Sequence, residues 1–130
     1  MPLYLLLNNY NAFIRVCHSF TPPSLLKETV QHADVVISAA GVPSLIKADW
    51  VKEGAVVIDV GINYVEDGGV KPTMCGDVEL NELLLKRASK VTPVPGGVGP
   101  MTVTMLLSNL VKSWELQNLN LTVGGSSTKN

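Results

Sequence analysis

Hydrophobic positions along this chain alternate between short β-branched runs and longer segments with helical spacing. Four runs predict strands, at residues 12–17, 34–39, 55–60 and 90–92. The two middle runs, DVVISA and AVVIDV, are apolar almost throughout, which predicts interior strands covered on both faces. The alternation is typical of an α/β domain with a parallel sheet.

Three helices are predicted between and after these strands. The first covers residues 22–31, where Thr21 can cap the helix and a proline occupies the first turn. The second covers residues 78–89 and the third residues 100–116, with apolar side chains at spacings of three and four. That periodicity predicts amphipathic helices that pack against other elements.

Both ends of the chain depart from a complete doubly wound fold. Residues 118–130 mix polar, Gly and Ser residues without a period, which predicts a flexible tail after one domain over residues 1–117. A complete fold opens with a strand, a Gly-rich turn and a helix, whereas PLYLLLNN fits only the helix. The predicted fold class is therefore α/β, a truncated Rossmann-like parallel sheet with helices on both faces.

Composition narrows the classes of function. Of 130 residues 46% are hydrophobic, and 10 Lys and Arg against 11 Asp and Glu give a net charge of -1. Nucleic-acid partners normally require a basic face, and no apolar run at the start is long enough for a membrane span. We therefore expect no nucleic-acid or membrane partner and a cytoplasmic location, with a mitochondrial location as the alternative.

Several kinds of reactive site find no support in the sequence. Cys17 and Cys75 are expected to be free thiols, because a chain this apolar does not depend on one disulfide. His18 and His32 lack a second ligand at metal spacing, so no metal site is expected. No Ser/His/Asp order, HExxH motif or Walker P-loop is present, which disfavours hydrolase and kinase chemistry of those kinds.

Glycines follow three of the predicted strands. Gly41 lies in AAGVP after the second strand, Gly61 follows the third, and PVPGGVGP, residues 93–100, follows the fourth. Ligands of open parallel sheets bind outside the carboxyl ends of the strands, so these glycines lie at the expected functional edge. Glycine is also an ordinary turn former, and this plainer role stays open for Gly41.

Residues 93–100, the glycine loop, are the strongest indication of a ligand site in this sequence. Two prolines fix φ, three glycines expose backbone amides, and Pro100 begins a predicted helix whose free N–H groups face the same crevice. Such a loop suits a rigid, acceptor-rich ligand. An ordinary connection is the alternative, but three glycines and three prolines within eight residues exceed what a turn needs.

The segment HSFT, residues 18–21, bears on the cofactor. It occupies the place where an NAD-binding fold usually carries a carboxylate for the ribose hydroxyls, and it has none. Arg15 and Ser19 are compatible with a 2′-phosphate, which favours NADP, with NAD as the alternative. A Ser at this place is also a standard helix-entry residue.

Two aspartates lie in apolar surroundings. Asp59 belongs to a predicted strand, so we expect its carboxylate to bind neighbouring loop amides. Asp77 precedes a predicted helix and is expected first as its N-cap and second as a support for the glycine loop. Neither is expected to act as a catalytic base.

Five segments, in this order and spacing, resemble the NAD(P)-binding domain of the bifunctional methylenetetrahydrofolate dehydrogenase/methenyltetrahydrofolate cyclohydrolase family. They are CHSFT, ADVVISAAGVP, EGAVVIDVGIN, GDVE and TPVPGGVGPMT, and the resemblance runs from about Pro2 to Trp114. It implies oxidation of 5,10-methylenetetrahydrofolate by hydride transfer to NADP+, then hydrolysis of the methenyl product to 10-formyltetrahydrofolate. It also implies tetrahydrofolate derivatives as substrates and a homodimer for the full-length enzyme.

The same resemblance assigns binding residues. It places Ser19 near the adenosine 2′-phosphate, Ala40 and Gly41 against the cofactor, and Ile62 beside the dinucleotide. The following stretch would border folate and nicotinamide, where rigid Pro/Gly backbone can approach flat rings closely. Its members are Pro95, Gly96, Gly97, Val98, Gly99, Pro100, Met101, Thr102 and Val103, of which Gly99 and Thr102 are also assigned to the cofactor.

The resemblance covers only one part of such an enzyme. The family's folate-binding domain carries a Tyr-x-x-x-Lys motif with the catalytic Lys, and neither that domain nor the GRSxxVGxP phosphate turn has a counterpart here, Pro2 excepted. No catalytic residue is therefore assigned, and the chain is expected to be the C-terminal part of a longer protein. The alternative function is a catalytically inactive fragment that at most binds a dinucleotide or a partner chain.

Overall fold

The computed structural model describes residues 2–66, 68 and 72–123. The elements in chain order are α1 (Pro2–Asn8), α2 (Pro23–His32), β1 (Val35–Ser38), a 3-10 helix (Ala48–Trp50), β2 (Val56–Asp59), β3 (Asn63–Val65), β4 (Thr73–Cys75), α3 (Glu82–Arg87), β5 (Lys90–Val91) and α4 (Val98–Val123). Strands β1, β2 and β5 form a parallel sheet in that spatial order. The predicted α/β class with a Rossmann-like parallel sheet is confirmed.

One apolar core joins the sheet to the helices that follow its strands. Val57 of the central strand is 1% exposed and Leu84 of α3 is fully buried. The other buried members are Val30, Val36, Ile46, Ala48, Val51, Ala55 and Val78. Because they come from α2, β1, the 3-10 helix and the loops as well, these elements are held together as one packed unit.

The predicted strand at residues 12–17 is wrong. These residues have no strand structure, and β1 lies at an edge of the sheet instead of in its interior, with Val35 52% exposed. In the doubly wound order both segments would pair with a first strand between them, and the described residues supply none at that position. Without that ladder the apolar sequence of residues 12–17 is not sufficient to make a strand.

Two helices begin later than predicted. Helix α2 begins at Pro23 after Pro22, and the Thr21 hydroxyl accepts a hydrogen bond from the backbone N–H of His18 instead of capping the helix. Helix α3 begins at Glu82, and its N-cap is Asn81, whose side chain accepts from the N–H of Leu84 at 3.0 Å. Val78 lies before this helix in a bridge to Ile46, so the predicted start there is wrong.

Helix α4 begins at Val98 and continues to Val123, longer than the predicted 100–116. Its last six residues belong to the segment predicted as a tail, of which residues 124–130 lie outside the described part of the chain. Between Gly99 and Leu119 only Ser108 is even half-buried. The prediction that this helix packs through an amphipathic face is therefore wrong over residues 99–119, where the apolar side chains face solvent.

An antiparallel hairpin between β3 and β4 was absent from the sequence-based prediction. Tyr64 pairs with Met74, and the pairing brings Asn63 opposite Cys75. The hairpin therefore returns the chain from the end of β2 to the same edge of the sheet, where Asp77 follows. No helix within the described residues is both long and apolar enough to cross a membrane.

Candidate functional site at the carboxyl edge of the sheet

Loops that follow β1, β2 and β5 meet at the carboxyl edge of the parallel sheet. The hydroxyl of Thr92, just after β5, accepts a hydrogen bond from the N–H of Asp59 at 2.8 Å. Asp59 is the last residue of β2, so the start of the glycine loop is tied directly to the end of the central strand. This is the edge where open parallel sheets bind ligands.

Asp77 is the main acceptor at this edge. Its carboxylate accepts hydrogen bonds from three successive backbone N–H groups, those of Ala40 at 2.6 Å, Gly41 at 3.2 Å and Val42 at 3.1 Å. It also accepts from the Ser38 hydroxyl at 3.1 Å and from the Asn63 side-chain amide at 2.9 Å. The carboxylate therefore holds the end of β1, the loop after β1 and the start of β3 in one network.

The expected roles of Asp77 were both wrong. Asn81 caps α3, and the carboxylate of Asp77 binds the loop after β1 instead of the glycine loop. The hairpin of β3 and β4, which the sequence pattern does not predict, places Asp77 beside that loop. Ser38 and Asn63 were also missed, although each is a polar residue at a strand end within an apolar sequence.

Asp59 is a second buried acceptor, and its expected role is confirmed. Its carboxylate accepts from the N–H groups of Gly61 at 2.9 Å, Asp77 at 3.1 Å and Val78 at 2.8 Å. The side chain of one aspartate thus fixes the backbone of the other. We call Asp59 and Asp77 together the carboxylate brace.

Two glycines make room for the brace. A β-carbon at Gly61 would fall on the Asp77 carboxylate, and one at Gly76 would fall on the Asp59 carboxylate. Neither position requires a positive φ, so the need for glycine here is steric. Gly61 is predicted to lie at the functional edge. Its surroundings show that the absence of a side chain there leaves space for the Asp77 carboxylate.

Asp77 remains ionised at neutral pH. Burial raises the pKa of its carboxyl, but the hydrogen bonds donated by Asn63, Ala40, Gly41 and Ser38 outweigh this effect and hold the pKa below its ordinary value. The five groups that donate hydrogen bonds to this carboxylate are all uncharged. Its negative charge is therefore stabilised by oriented amide and hydroxyl dipoles.

The glycine loop has a less uniform structure than its composition suggests. Gly96 has φ of +101°, a conformation that favours glycine, whereas a β-carbon at Gly97 would run into the Pro93 carbonyl oxygen. Gly99 lies in the first turn of α4 with nothing within 4 Å of an added β-carbon. Gly96 and Gly99 therefore both present open space where a ligand could approach the backbone, whereas Gly97 does not.

Some of the residues assigned to ligand binding are held by hydrogen bonds to Asp77, and the others lie outside that network. Ala40 and Gly41 bind Asp77 directly, and Ile62 is 60% exposed beside Asn63. Ser19 lies in an exposed turn that the His18 and Thr21 hydrogen bonds close. The Thr102 hydroxyl donates to the Val98 carbonyl within α4. The remaining assigned positions are Pro95, Gly96, Pro100, Met101 and Val103, all exposed, and Gly97 and Val98, both half-buried.

A shallow cleft of about 200 Å³ opens beside the brace. It lies between the ends of β2 and β5 and the second strand of the hairpin, with Asp59, Cys75 and Thr92 in its lining. Cys75 and Cys17 are both free thiols. No group of three or more His, Cys, Asp or Glu side chains in the described part of the chain could hold a metal ion.

Parallel strands, loops that meet at their carboxyl ends and a glycine loop that leads into a helix define a Rossmann-like α/β domain. The family model for the tetrahydrofolate dehydrogenase/cyclohydrolase NAD(P)-binding domain matches residues 1–118. The chain belongs to this family. The resemblance stated from the five sequence segments is confirmed.

Individual relatives agree with this assignment. The chain is 53% identical over 112 residues to the mitochondrial C-1-tetrahydrofolate synthase of Saccharomyces cerevisiae, covering 85% of this chain and 11% of the relative. It is 55% identical over 100 residues to the mitochondrial bifunctional methylenetetrahydrofolate dehydrogenase/cyclohydrolase 2 of Mus musculus, covering 76% and 29%.

A solved structure is also similar. The methylenetetrahydrofolate dehydrogenase-cyclohydrolase of Trypanosoma brucei, complexed with NADP cofactor and inhibitor, superposes with a TM-score of 0.80 and 42% identity. The match covers 89% of this chain and 39% of that structure's chain. The chain thus spans less than half the length of each of these three proteins.

Proposed function

We propose that this chain forms the dinucleotide-binding part of a bifunctional methylenetetrahydrofolate dehydrogenase/methenyltetrahydrofolate cyclohydrolase. The observation that carries the proposal is the family match over residues 1–118, together with the placement of the glycine loop at the carboxyl edge. The whole protein would oxidise 5,10-methylenetetrahydrofolate and hydrolyse the methenyl product to 10-formyltetrahydrofolate. Tetrahydrofolate derivatives are the proposed substrates, and a homodimer is the proposed assembly of the complete enzyme.

NADP is the proposed cofactor, with NAD as the alternative. When bound, NADP+ would accept a hydride from the methylene carbon of the folate. The residues present fit a dinucleotide in two respects: the backbone is open at Gly41 and Gly99, and the HSFT turn carries no carboxylate that would repel a 2′-phosphate. Ser19 is exposed in that turn, and Arg15 lies close in sequence.

The described residues would contribute positioning and not a catalytic group. Asp59 and Asp77 are buried and saturated with donated hydrogen bonds, so neither can reach a substrate proton. The first turn of α4 has free N–H groups and the positive end of the helix dipole. The chain's own role is thus to hold one face of the dinucleotide at a preformed edge.

Dinucleotide binding is the first test. Equilibrium dialysis of the 130-residue chain against NADP+ and NAD+ should show binding of both, tighter for NADP+, because the HSFT turn lacks the carboxylate that would select NAD+. The same preparation should show no turnover of methylenetetrahydrofolate with NADP+, since the family's catalytic Lys has no counterpart here. The proposal would be overturned if the chain bound neither dinucleotide. Turnover at roughly 1 to 1,000 per second would refute the assignment of the catalytic group to a part of the enzyme outside this chain.

Gly99→Ala tests whether the ligand approaches the start of α4. The added methyl group meets nothing within 4 Å in the chain, so the free energy of unfolding should stay the same or rise by about 0.5–1 kcal/mol. Binding of NADP+ should nevertheless weaken, because the methyl group occupies the space that the assigned ligand would use. Equal affinity of the variant and the original chain would remove Gly99 from the site.

A cytoplasmic location remains the prediction for this protein, with a mitochondrial location as the alternative. Support for the alternative comes from the two relatives described above, both of which carry mitochondrial names. The absence of nucleic-acid and membrane partners likewise remains an expectation from the charge and hydropathy of the sequence.

A further inference from the structure

We propose that Asp77 is a positioning residue that sets dinucleotide affinity by holding the backbone of residues 40–42 in the conformation that binds the dinucleotide. This inference rests on the proposed function, because it concerns how the carboxyl edge of the sheet is shaped to bind a dinucleotide. Asp77 itself is fully buried, so its side chain would not contact the dinucleotide. It acts through Ala40 and Gly41, the residues assigned to the cofactor.

The geometry at this loop is that of an anion-binding nest whose anion belongs to the protein. Three successive N–H groups, from Ala40 to Val42, converge on one carboxylate, and Gly41 has φ of +68°. Concave arrangements of this kind bind phosphate in many proteins. Here Asp77 fills the concavity, so the three N–H groups are not available to a phosphate.

Two consequences follow for the ligand. The portion of the dinucleotide that lies against residues 40–42 would be an uncharged one, a ribose or a base, because the loop has no free donors and a buried negative charge lies behind it. The loop also keeps its shape without a ligand. Binding therefore does not have to order it, which lowers the entropic cost of association.

The position of Asp77 is itself specified. Its backbone N–H donates to Asp59, and its side chain is held from the other side by Ser38 and Asn63. The carboxylate therefore connects the loop after β1 to the start of β3, and the backbone N–H of Asp77 connects it to the end of β2. A change at Asp77 should be transmitted to Ala40 and Gly41, which it binds directly, and not to the centre of the sheet at Val57, which belongs to the apolar core and makes no hydrogen bond to Asp77.

The test uses Asp77→Asn in the 130-residue chain, with Asp34→Asn as the matched control. Asn keeps the size of the side chain but has one acceptor oxygen, and its NH2 group faces N–H donors. Asp34 is an exposed aspartate that pairs with Lys52 at 2.6 Å, away from the loop. Ser38→Ala, which removes one of the five donors to Asp77, is a milder second variant.

Two measurements are made on each variant. Hydrogen exchange read by mass spectrometry reports on peptides that cover residues 40–42 and, separately, on peptides that cover β2. Equilibrium dialysis reports the affinity for NADP+. We expect Asp77→Asn to speed exchange at the loop while β2 stays protected, and to weaken NADP+ binding about tenfold, as loss of charge-assisted hydrogen bonds would.

Ser38→Ala should change both quantities in the same direction by a smaller factor, and Asp34→Asn should change neither. The proposal is overturned if the loop amides exchange freely in the unaltered chain, or if Asp77→Asn frees the loop without changing affinity. If Asp77→Asn unfolds the chain, Ser38→Ala decides the matter in the same way. Failure of the unaltered chain to bind NADP+ would refute the proposed function and the link to affinity, while the exchange data would still test the bracing of the loop.

Discussion

The purified 130-residue chain should self-associate in solution, and helix α4 should be the main cause. Val103, Leu106, Leu110 and Trp114 recur at helical spacing, and each is at least 60% exposed. An apolar stripe of this length on a soluble protein is covered by another surface in nearly every case, because leaving it in water costs free energy in proportion to its area. The outer edge of β1, which has no strand partner among the described residues, adds a second surface that favours association.

The double variant Leu106→Lys and Leu110→Lys should convert the associated chain to a monomer. Lysine keeps the helical propensity of the two positions while removing the apolar surface. Asn109→Lys with Ser113→Lys is the matched control, since it adds the same charge to the same exposed helix but leaves the stripe intact. Size-exclusion chromatography with light scattering distinguishes the two.

A monodisperse monomer of the unaltered chain with a cooperative thermal transition would contradict this expectation. So would a control variant that dissociates as fully as the Leu106 and Leu110 variant, because charge alone would then explain the result. Association that persists in both variants would place the cause at β1 instead of α4.

Local pattern was sufficient for those parts of the fold that are buried by their own neighbours. β2 lies between two strands and matches the predicted run 55–60 in position, and Asp59 binds loop amides as its apolar setting required. Residues 12–17 show the opposite case. Their sequence has strand character, but a strand needs a partner for its ladder, and that partner is not set by the segment's own composition.

The site was predicted in part for the same reason. Glycines after strands indicated the carboxyl edge of the sheet, and the parallel order of β1, β2 and β5 brings their loops to that edge. The role of Asp77 could not be derived, since it depends on a hairpin that carries the chain back beside the loop after β1. An aspartate before a predicted helix is most simply an N-cap, and only the fold distinguishes Asp77 from Asn81 in that role.

Gly76→Ala is expected to have the largest effect on stability of any single methyl addition considered for this chain. The new β-carbon would fall on the Asp59 carboxylate, which is buried and accepts three backbone N–H groups. Either the carboxylate moves and leaves those donors unsatisfied, or the backbone at Gly76 moves and pulls Asp77 away from its loop. Overpacking and broken charged hydrogen bonds together should cost about 3 kcal/mol or more.

Such a loss is a large fraction of the roughly 5–15 kcal/mol by which a domain is stable, so the unfolded population should rise by roughly two orders of magnitude and the urea midpoint should fall. Urea unfolding in the Leu106→Lys and Leu110→Lys background measures the effect without interference from association. Gly99→Ala in the same background is the control, because it adds the same methyl group where nothing lies within 4 Å. Equal unfolding free energies for the two alanine variants would show that the carboxylate brace can move at little cost, and the account of Asp59 as a fixed support would be wrong.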